Sequence, residues 1–237
     1  MTDIFYKALL SALTQLNIAL PEGAPVKFAK YADFLIEYGK KVNLTAITDD
    51  SEIAVKHFAD SLALLKYIDI KPASSVIDVG TGAGFPGVPL LIARPDLSLT
   101  LMDSTNKKLQ FVKEACEKIE LKPEIIHIRA EDAGKNPLFR EKYDLVVSRA
   151  VADLRVLAEY CLPLTKVGGV FAPYKGDVNR ELKEAQNAIS TLSGKTQDLF
   201  EYELSGYMKR SIIVIRKISQ TSPKYPRTST QISKFPL

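Results

Sequence analysis

The sequence predicts an α/β fold: a doubly wound, mostly parallel sheet with an antiparallel last strand, preceded by an N-terminal helical cap. Three observations carry that prediction. The first seventy residues show helical periodicity and no strand pattern, whereas residues 75–173 alternate short apolar strand-like runs with helical stretches. The stretch "VIDVGTGAGFPGVPLLIA" (76–93) sets a glycine turn between a buried strand and an apolar helix.

The elements follow in order. Phe5, Leu9, Ala12, Leu13 and Leu16 fall on one face of a first helix, which "PEGAP" (21–25) separates from a second with the stripe Phe28, Tyr31, Ala32, Leu35 and Ile36. "NLTAITDD" (43–50) reads as a loop. A third helix starts near Asp49, where Asp49 and Glu52 have capping-box spacing, and turns Val55, Phe58, Ala59, Leu62 and Leu65 inward. Strands are expected at 75–79, 98–102, 124–129, 143–148 and 169–173, with helices at 87–93, 105–119, 151–161 and 178–193. "DLFEYEL" (198–204) and "SIIVIRKI" (211–218) form a closing hairpin. The Ser-, Thr- and Pro-rich stretch 219–237 is expected to be irregular. The organisation is therefore a cap over 1–70, a sheet domain over 71–218, and a basic tail over 219–237 that packs on or near the active site.

Composition narrows the function classes. The chain has 237 residues, 46% hydrophobic and 25% charged, as in a globular protein. It contains no apolar run of about eighteen residues, so no membrane span is expected. The start lacks a basic leader and a small-residue cleavage site, and a cytoplasmic location is expected. Two cysteines suit a reducing compartment. Cys116 lies on the stripe Leu109, Val112, Ile119, and Cys161 on the stripe Val151, Leu154, Ala158. Both read as core residues rather than nucleophiles, and neither has metal-ligand spacing, so no metal is expected. The net charge of +4 is unevenly placed: after Ser205 the chain carries Lys209, Arg210, Arg216, Lys217, Lys224, Arg227 and Lys234 and no acid. That basic end reads either as a solvated tail that aids solubility or as a site for an anionic partner, with Lys209, Arg210, Lys224 and Arg227 on its phosphates if that partner is a nucleic acid.

The glycine turn points to a nucleoside-bearing cofactor. Gly80, Gly82 and Gly84 let a ligand approach the backbone, and Asp103 follows Gly80 by 23 positions, closing "LTLMDS". A carboxylate there can accept hydrogen bonds from both ribose hydroxyls. NAD fits poorly. Its glycine fingerprint matches only one turn late, at Gly82, Gly84 and Gly87, where Pro86 removes a backbone donor. Asp78 would also stand beside an anionic pyrophosphate, whereas the sulfonium and ammonium of S-adenosylmethionine suit a carboxylate.

"NLTAI" (43–47), "KHFADSL" (56–62), "DVGTGAGFPGVPL" (78–90), "LMDSTNKK" (101–108), "SRAVADL" (148–154), "YKG" (174–176) and "YPR" (225–227) occur in this order. By these motifs the chain resembles, over nearly its whole length, the small-subunit ribosomal RNA guanine-N7 methyltransferases, also called glucose-inhibited division protein B. The resemblance implies a Rossmann-like class I S-adenosylmethionine-dependent methyltransferase fold. It also implies methylation at N7 of a guanine in the 530 loop of 16S ribosomal RNA, whether as naked RNA, in the 30S subunit or in an assembly intermediate; a monomer is expected. It further implies that Gly80 and Phe85 belong to the cofactor turn, that Asp103, Ser104 and Thr105 lie at the ribose end, and that Ala130 and Glu131 flank the adenine. Arg149 would line the pocket near the methyl donor and serve as the catalytic residue. The chain departs from the family after "YPR", where no glycine follows.

The residues agree with that chemistry. Guanine N7 has a free lone pair and no proton to lose, so positioning supplies most of the catalysis. Cytosine C5 would require a cysteine nucleophile. The Asn/Asp-Pro-Pro-Tyr loop of adenine amino methylation is replaced after the fourth strand by "SRAVA", and "APYKG" follows the fifth. His127 reads as a strand residue, and His57 as a residue that orders the cap near Asp60. Two other classes remain on the sequence alone: a nicotinamide-dependent oxidoreductase, and a non-catalytic ribosome-associated RNA-binding protein.

Overall fold

The computed structural model describes residues 1–39 and 44–237; Asn43, in the expected 43–50 loop, lies outside them. Two amphipathic helices open the chain, α1 (Asp3–Leu16) and α2 (Ala24–Gly39). A third helical stretch begins with α3 (Asp50–Glu52), continues as a π-helix (Ile53–Ala59), and ends in α4 (Asp60–Leu62) and α5 (Leu64–Tyr67). Asp49 caps α3 by accepting from the Glu52 amide at 2.9 Å, but Glu52 pairs its own carboxylate with Lys56, so only half of the capping box forms.

The alternating part follows as β1 (Ser75–Val79), α6 (Gly87–Ala93), β2 (Ser98–Asp103), α7 (Asn106–Lys118), β3 (Glu124–His127), α8 (Ala130–Ala133), β4 (Tyr143–Arg149), α9 (Leu154–Cys161) and β5 (Thr165–Lys175). The expected single helix over 178–193 is two, α10 (Asn179–Glu184) and α11 (Gln186–Thr191). The hairpin is β6 (Gly194–Leu204) and β7 (Met208–Lys217). The tail, expected to be irregular, contains a short helix, α12 (Ser229–Lys234), closed by a capping box between Thr228 and Gln231.

The seven strands form one sheet in the order β3-β2-β1-β4-β5-β7-β6. The first five run parallel, and β7 pairs antiparallel with both β5 and β6. Two consequences place the site. Strand order reverses between β1 and β4, which opens a crevice beyond their carboxyl ends. Because β7 is antiparallel, its beginning, with Lys209 and Arg210, lies at that same edge.

Each sheet face has its own core. One is filled by the N-terminal helices with α6 and α7, so Phe5, Phe28, Tyr31 and Phe58 share a core with Val88, Leu101 and Phe111. The other is filled by α9, α10 and α11 together with Tyr225 of the tail. The N-terminal helices thus hold the glycine turn directly: the buried Tyr31 hydroxyl donates to the Ala83 carbonyl at 2.8 Å. Gly84 allows this approach, since its φ is +82° and a Cβ there would lie 2.2 Å from Tyr31 Oη. Among the described residues no helix is long and apolar enough to cross a membrane.

Candidate functional site

Two cavities meet at the crevice. The first, of about 300 Å³, is lined by Gly80, Asp103, Ser104, Thr105, Ala130 and Glu131, together with Val79, Met102, Lys108, Ile128, Arg129, Ala150, Val151, Tyr160 and Ser229. The second, of about 390 Å³, is lined by Ile47, Lys56, His57, Asp60, Arg149, Ala150, Tyr174, Lys175, Gly176 and Arg210. Ala150 belongs to both, so the loop after β4 is their common wall.

The first cavity is built on the ends of β1 and β2. Asp103 accepts from the Thr105 amide at 2.8 Å through Oδ1 and from the Gly82 amide at 3.0 Å through Oδ2. This fixes the carboxylate and ties the glycine turn to β2, while each oxygen keeps a lone pair for a further donor. Gly80 has φ +72°, and a Cβ there would lie 2.5 Å from Val151, so the turn and the loop after β4 touch across the crevice. That loop is braced from below. Lys175 Nζ donates to the Ala152 carbonyl at 2.6 Å and to Glu181, whose carboxylate also accepts from the Leu154 amide.

Asp78 does not line the cavity. It is buried beneath the turn, where Oδ2 accepts from Thr81 Oγ1 at 2.7 Å and from the Gly87 amide at 2.8 Å, while Oδ1 has no hydrogen-bond partner. Burial raises its pKa to about 6 against the lowering effect of those two bonds, so it is ionised at neutral pH. The Gly87 amide at the start of α6, which a pyrophosphate would use, is already occupied by this carboxylate. The site therefore suits a cationic ligand better than a dinucleotide.

Several residues expected at the cofactor lie outside the lining of the first cavity. Gly82, Gly84 and Phe85 do not line the first cavity. Gly82 contributes its amide to Asp103, and Gly84 serves the close packing of Tyr31. Phe85 is buried among Tyr31, Phe58 and His57, with the His57 ring stacked on it at 4.9 Å. Arg149 belongs to the second cavity and not the first. Its Cζ lies 5.3 Å over the Phe85 ring, and Nη1 donates to Asp60 Oδ2 at 2.9 Å and to the Lys56 carbonyl at 3.0 Å.

His57 forms part of this wall. Nε2 is 2.8 Å from Thr45 Oγ1, and Nδ1 faces Arg149 Nη2 at 3.5 Å. Burial, followed by the charges of Arg149 and Lys56, lowers its pKa to about 4, so the ring is neutral near pH 7. Burial pushes the Cys116 thiol up to about 12 and the Cys161 thiol well above its ordinary value, so neither supplies a thiolate. Among the described residues no cluster of His, Cys, Asp and Glu could hold a metal ion.

The four basic residues expected on RNA separate. Lys209 is exposed and Arg210 half-buried at the β7 end of the second cavity. Lys224 is exposed, its Nζ 5.0 Å over the Tyr225 ring. Arg227 is paired within the chain. Its guanidinium meets both carboxylate oxygens of Glu159, at 2.7 Å from Nη2 and 2.9 Å from Nε, and its amide donates to the same group at 2.8 Å. Glu159 on α9 is completely buried, so Arg227 anchors the tail. Arg140 holds the same segment through the Thr221, Ser222 and Tyr225 carbonyls. The anchored tail then places Ser229 at the first cavity.

Residues missed from the sequence fall into two groups. His57, Asp60 and Lys175 stand in the motifs "KHFADSL" and "YKG", which by themselves give them no site role. Tyr160 and Ser229 carry no local signal, because only the fold of α9 and the tail brings them to the cavity.

The family model described as "GidB: rRNA small subunit methyltransferase G" matches residues 25–212. A "Ribosomal RNA small subunit methyltransferase G" of Desulforamulus reducens is 46% identical over 232 residues, covering 97% of this chain and 97% of that protein. Its namesake from Acetivibrio thermocellus is 46% identical over 233 residues, covering 98% and 96%. Among solved structures, TrmN from Thermus thermophilus is similar with a TM-score of 0.54 at 19% identity, covering 76% of this chain and 52% of that one. A SAM-dependent O-methyltransferase from Thermotoga maritima is similar with a TM-score of 0.52 at 16% identity, covering 79% and 73%. These two likenesses concern the fold.

Proposed function

The chain belongs to the rRNA small subunit methyltransferase G family, and from that premise we propose that it methylates N7 of a guanine in the 530 loop of 16S ribosomal RNA. It is an S-adenosylmethionine-dependent ribosomal RNA methyltransferase of the small subunit. The nicotinamide and non-catalytic readings have no support in these relatives. The substrate is the 30S subunit or an assembly intermediate, and the protein acts as a cytoplasmic monomer without a membrane partner.

The observation that carries the reading is the pair of cavities joined at Ala150, one built on the glycine turn and Asp103, the other on Arg149. S-adenosylmethionine supplies an electrophilic methyl group on a sulfonium. In the first cavity Asp103 accepts from the ribose hydroxyls, Ser104 and Thr105 lie beside it, and Ala130 and Glu131 flank the adenine. Asp78 supplies negative charge from beneath the turn; its unpartnered Oδ1 fits a cationic ligand. In the second cavity Arg149 contacts the target base and holds it against the shared wall. The base needs no deprotonation, so orientation does most of the work. N7 of paired A-form RNA faces a groove that side chains do not reach, so the target is an unpaired or opened guanine. Lys209 and Arg210 at the rim, with Lys224, neutralise phosphates around it.

Two expected results test this reading. Asp103→Ala removes two hydrogen bonds to a charged acceptor, each worth about 1.5–3 kcal/mol. Calorimetric titration is expected to show S-adenosylmethionine binding at least about tenfold weaker in a folded variant; unchanged affinity excludes the ribose assignment. The second result concerns pH. Asp78 titrates near 6 in the folded chain against an ordinary 3.8, so its negative charge is present above pH 6 and lost as pH falls through that value. Cofactor affinity is expected to fall below pH 6 by up to about tenfold per unit, the limit for one linked proton. Asp78→Asn is expected to flatten that dependence, and a variant that keeps the wild-type profile would assign the proton to another group.

A further inference from the structure

We propose that Asp60 is a positioning residue for methyl transfer: one buried carboxylate that sets both arginines of the second cavity. The proposal rests on reading that cavity as the acceptor site. Asp60 stands where the π-helix passes into α4 and is only 2% exposed. A carboxylate so deep requires charged or hydrogen-bonding partners, and the partners here come from three strands: β4 on one side, and the paired β6 and β7, where Tyr202 stands opposite Arg210, on the other. Oδ2 accepts from Arg149 Nη1 of β4 at 2.9 Å. Oδ1 accepts from Tyr202 Oη of β6 at 2.8 Å and lies 3.5 Å from Arg210 Nε of β7.

The π-helix completes the arrangement. The carbonyls of Lys56 and His57 also accept from Arg149 Nη1, at 3.0 and 3.4 Å, although they belong to a helical segment whose carbonyls would ordinarily point along its axis to their own amides. The Arg149 guanidinium is therefore held from one side by three acceptors, only one of them charged, and from another by the Phe85 face at 5.3 Å. Without the charge on Asp60 only the two carbonyls and the long 3.5 Å contact from Nη2 to His57 Nδ1 remain, and the planar guanidinium can turn away from the shared wall. Arg210 loses its charged neighbour in the same change.

A positioning role and a purely structural one give different patterns across variants. Asp60→Asn keeps the shape and removes the charge. Tyr202→Phe removes a bond from Oδ1 and leaves the Oδ2–Arg149 contact intact. Single-turnover methyl transfer to 30S subunits, cofactor titration and thermal unfolding are measured for both. Asp60→Asn is expected to slow transfer by about thirtyfold or more, since small displacements at a reacting centre cost that much. Its cofactor affinity is expected to stay within about twofold, because Asp60 does not line the first cavity. Tyr202→Phe is expected to lower the unfolding temperature about as much as Asp60→Asn does, since each weakens one buried hydrogen bond, while transfer stays within about threefold. A wild-type rate in Asp60→Asn, or rates in both variants that fall in step with unfolding temperature, overturns the proposal. Should Asp60→Asn not fold, Asp60→Glu carries the test. It keeps the charge but moves it by one methylene, so transfer is expected to slow by about tenfold, and a wild-type rate overturns the proposal. Methylation by the wild-type protein at an atom other than guanine N7 would refute the acceptor reading separately, and the rate at that atom would still report on Asp60.

Discussion

Arg149→Ala is expected to lower the single-turnover rate of methyl transfer by about a hundredfold or more, with cofactor affinity changed by less than about threefold. The split follows from where the side chain lies. Arg149 lines the second cavity and is absent from the first, so its loss leaves the lining of the first cavity in place and removes a fixed cation near the wall the two cavities share. Arg149→Lys is expected to recover little, because a point charge cannot reproduce the planar fork that spans Asp60 and the Lys56 carbonyl. Circular dichroism is expected to show a folded variant, since Asp60 keeps Tyr202 and Arg210 as partners. Cys116→Ala and Cys161→Ala are expected to stay within about threefold of the wild-type rate, as both thiols are buried and un-ionised. A fall in cofactor affinity as large as the fall in rate would move Arg149 to the donor side of the site.

Arg227→Ala is expected to destabilise the fold by about 3–5 kcal/mol, the cost of leaving a buried charge without its partner. Glu159 has no exposed surface and receives three of its hydrogen bonds from Arg227 side-chain nitrogens. Urea unfolding monitored by tyrosine fluorescence measures the effect as a lower midpoint with an unchanged slope. The salt dependence of RNA binding is expected to stay as in the wild type, whereas loss of a phosphate contact would make it shallower by roughly 0.7–0.9 in log–log slope. Replacing Glu159 and Arg227 together by apolar residues is expected to recover much of the loss. A stable Arg227→Ala variant with a shallower salt slope would return this arginine to the RNA interface.

Arg227 also shows how far the sequence could be read. Its neighbourhood is rich in basic residues and free of acids, and local charge alone points to an anionic partner outside the chain. The partner is Glu159, 68 residues earlier, on a helix whose apolar period says nothing about an acidic residue being buried. The glycine turn and Asp103 were legible because both follow from local rules: a turn that needs positive φ, and a carboxylate closing the second strand. The hairpin and its direction were legible for the same reason. The packing of Phe85 and Gly84 was not legible, because position within a glycine motif does not say which way a side chain faces, and here Tyr31 and Phe58 of the N-terminal helices pack against them. The π-helix was invisible. The stripe Val55, Phe58, Ala59 and Leu62 fits an ordinary helix, and the altered hydrogen bonding that brings the Lys56 and His57 carbonyls to Arg149 leaves no mark on that period. Tyr160 and Ser229 reach the first cavity only through the packing of α9 and the anchored tail.

The most direct test of the central claim uses 30S subunits from cells lacking this protein, incubated with the purified protein and S-adenosylmethionine, followed by borohydride reduction and aniline cleavage of the 16S RNA. The account predicts one new strand break, at a guanine in the 530 loop, which is absent when the protein or the cofactor is omitted and greatly reduced with Arg149→Ala. Methyl label incorporated without a break, or a break at a guanine elsewhere, would contradict it.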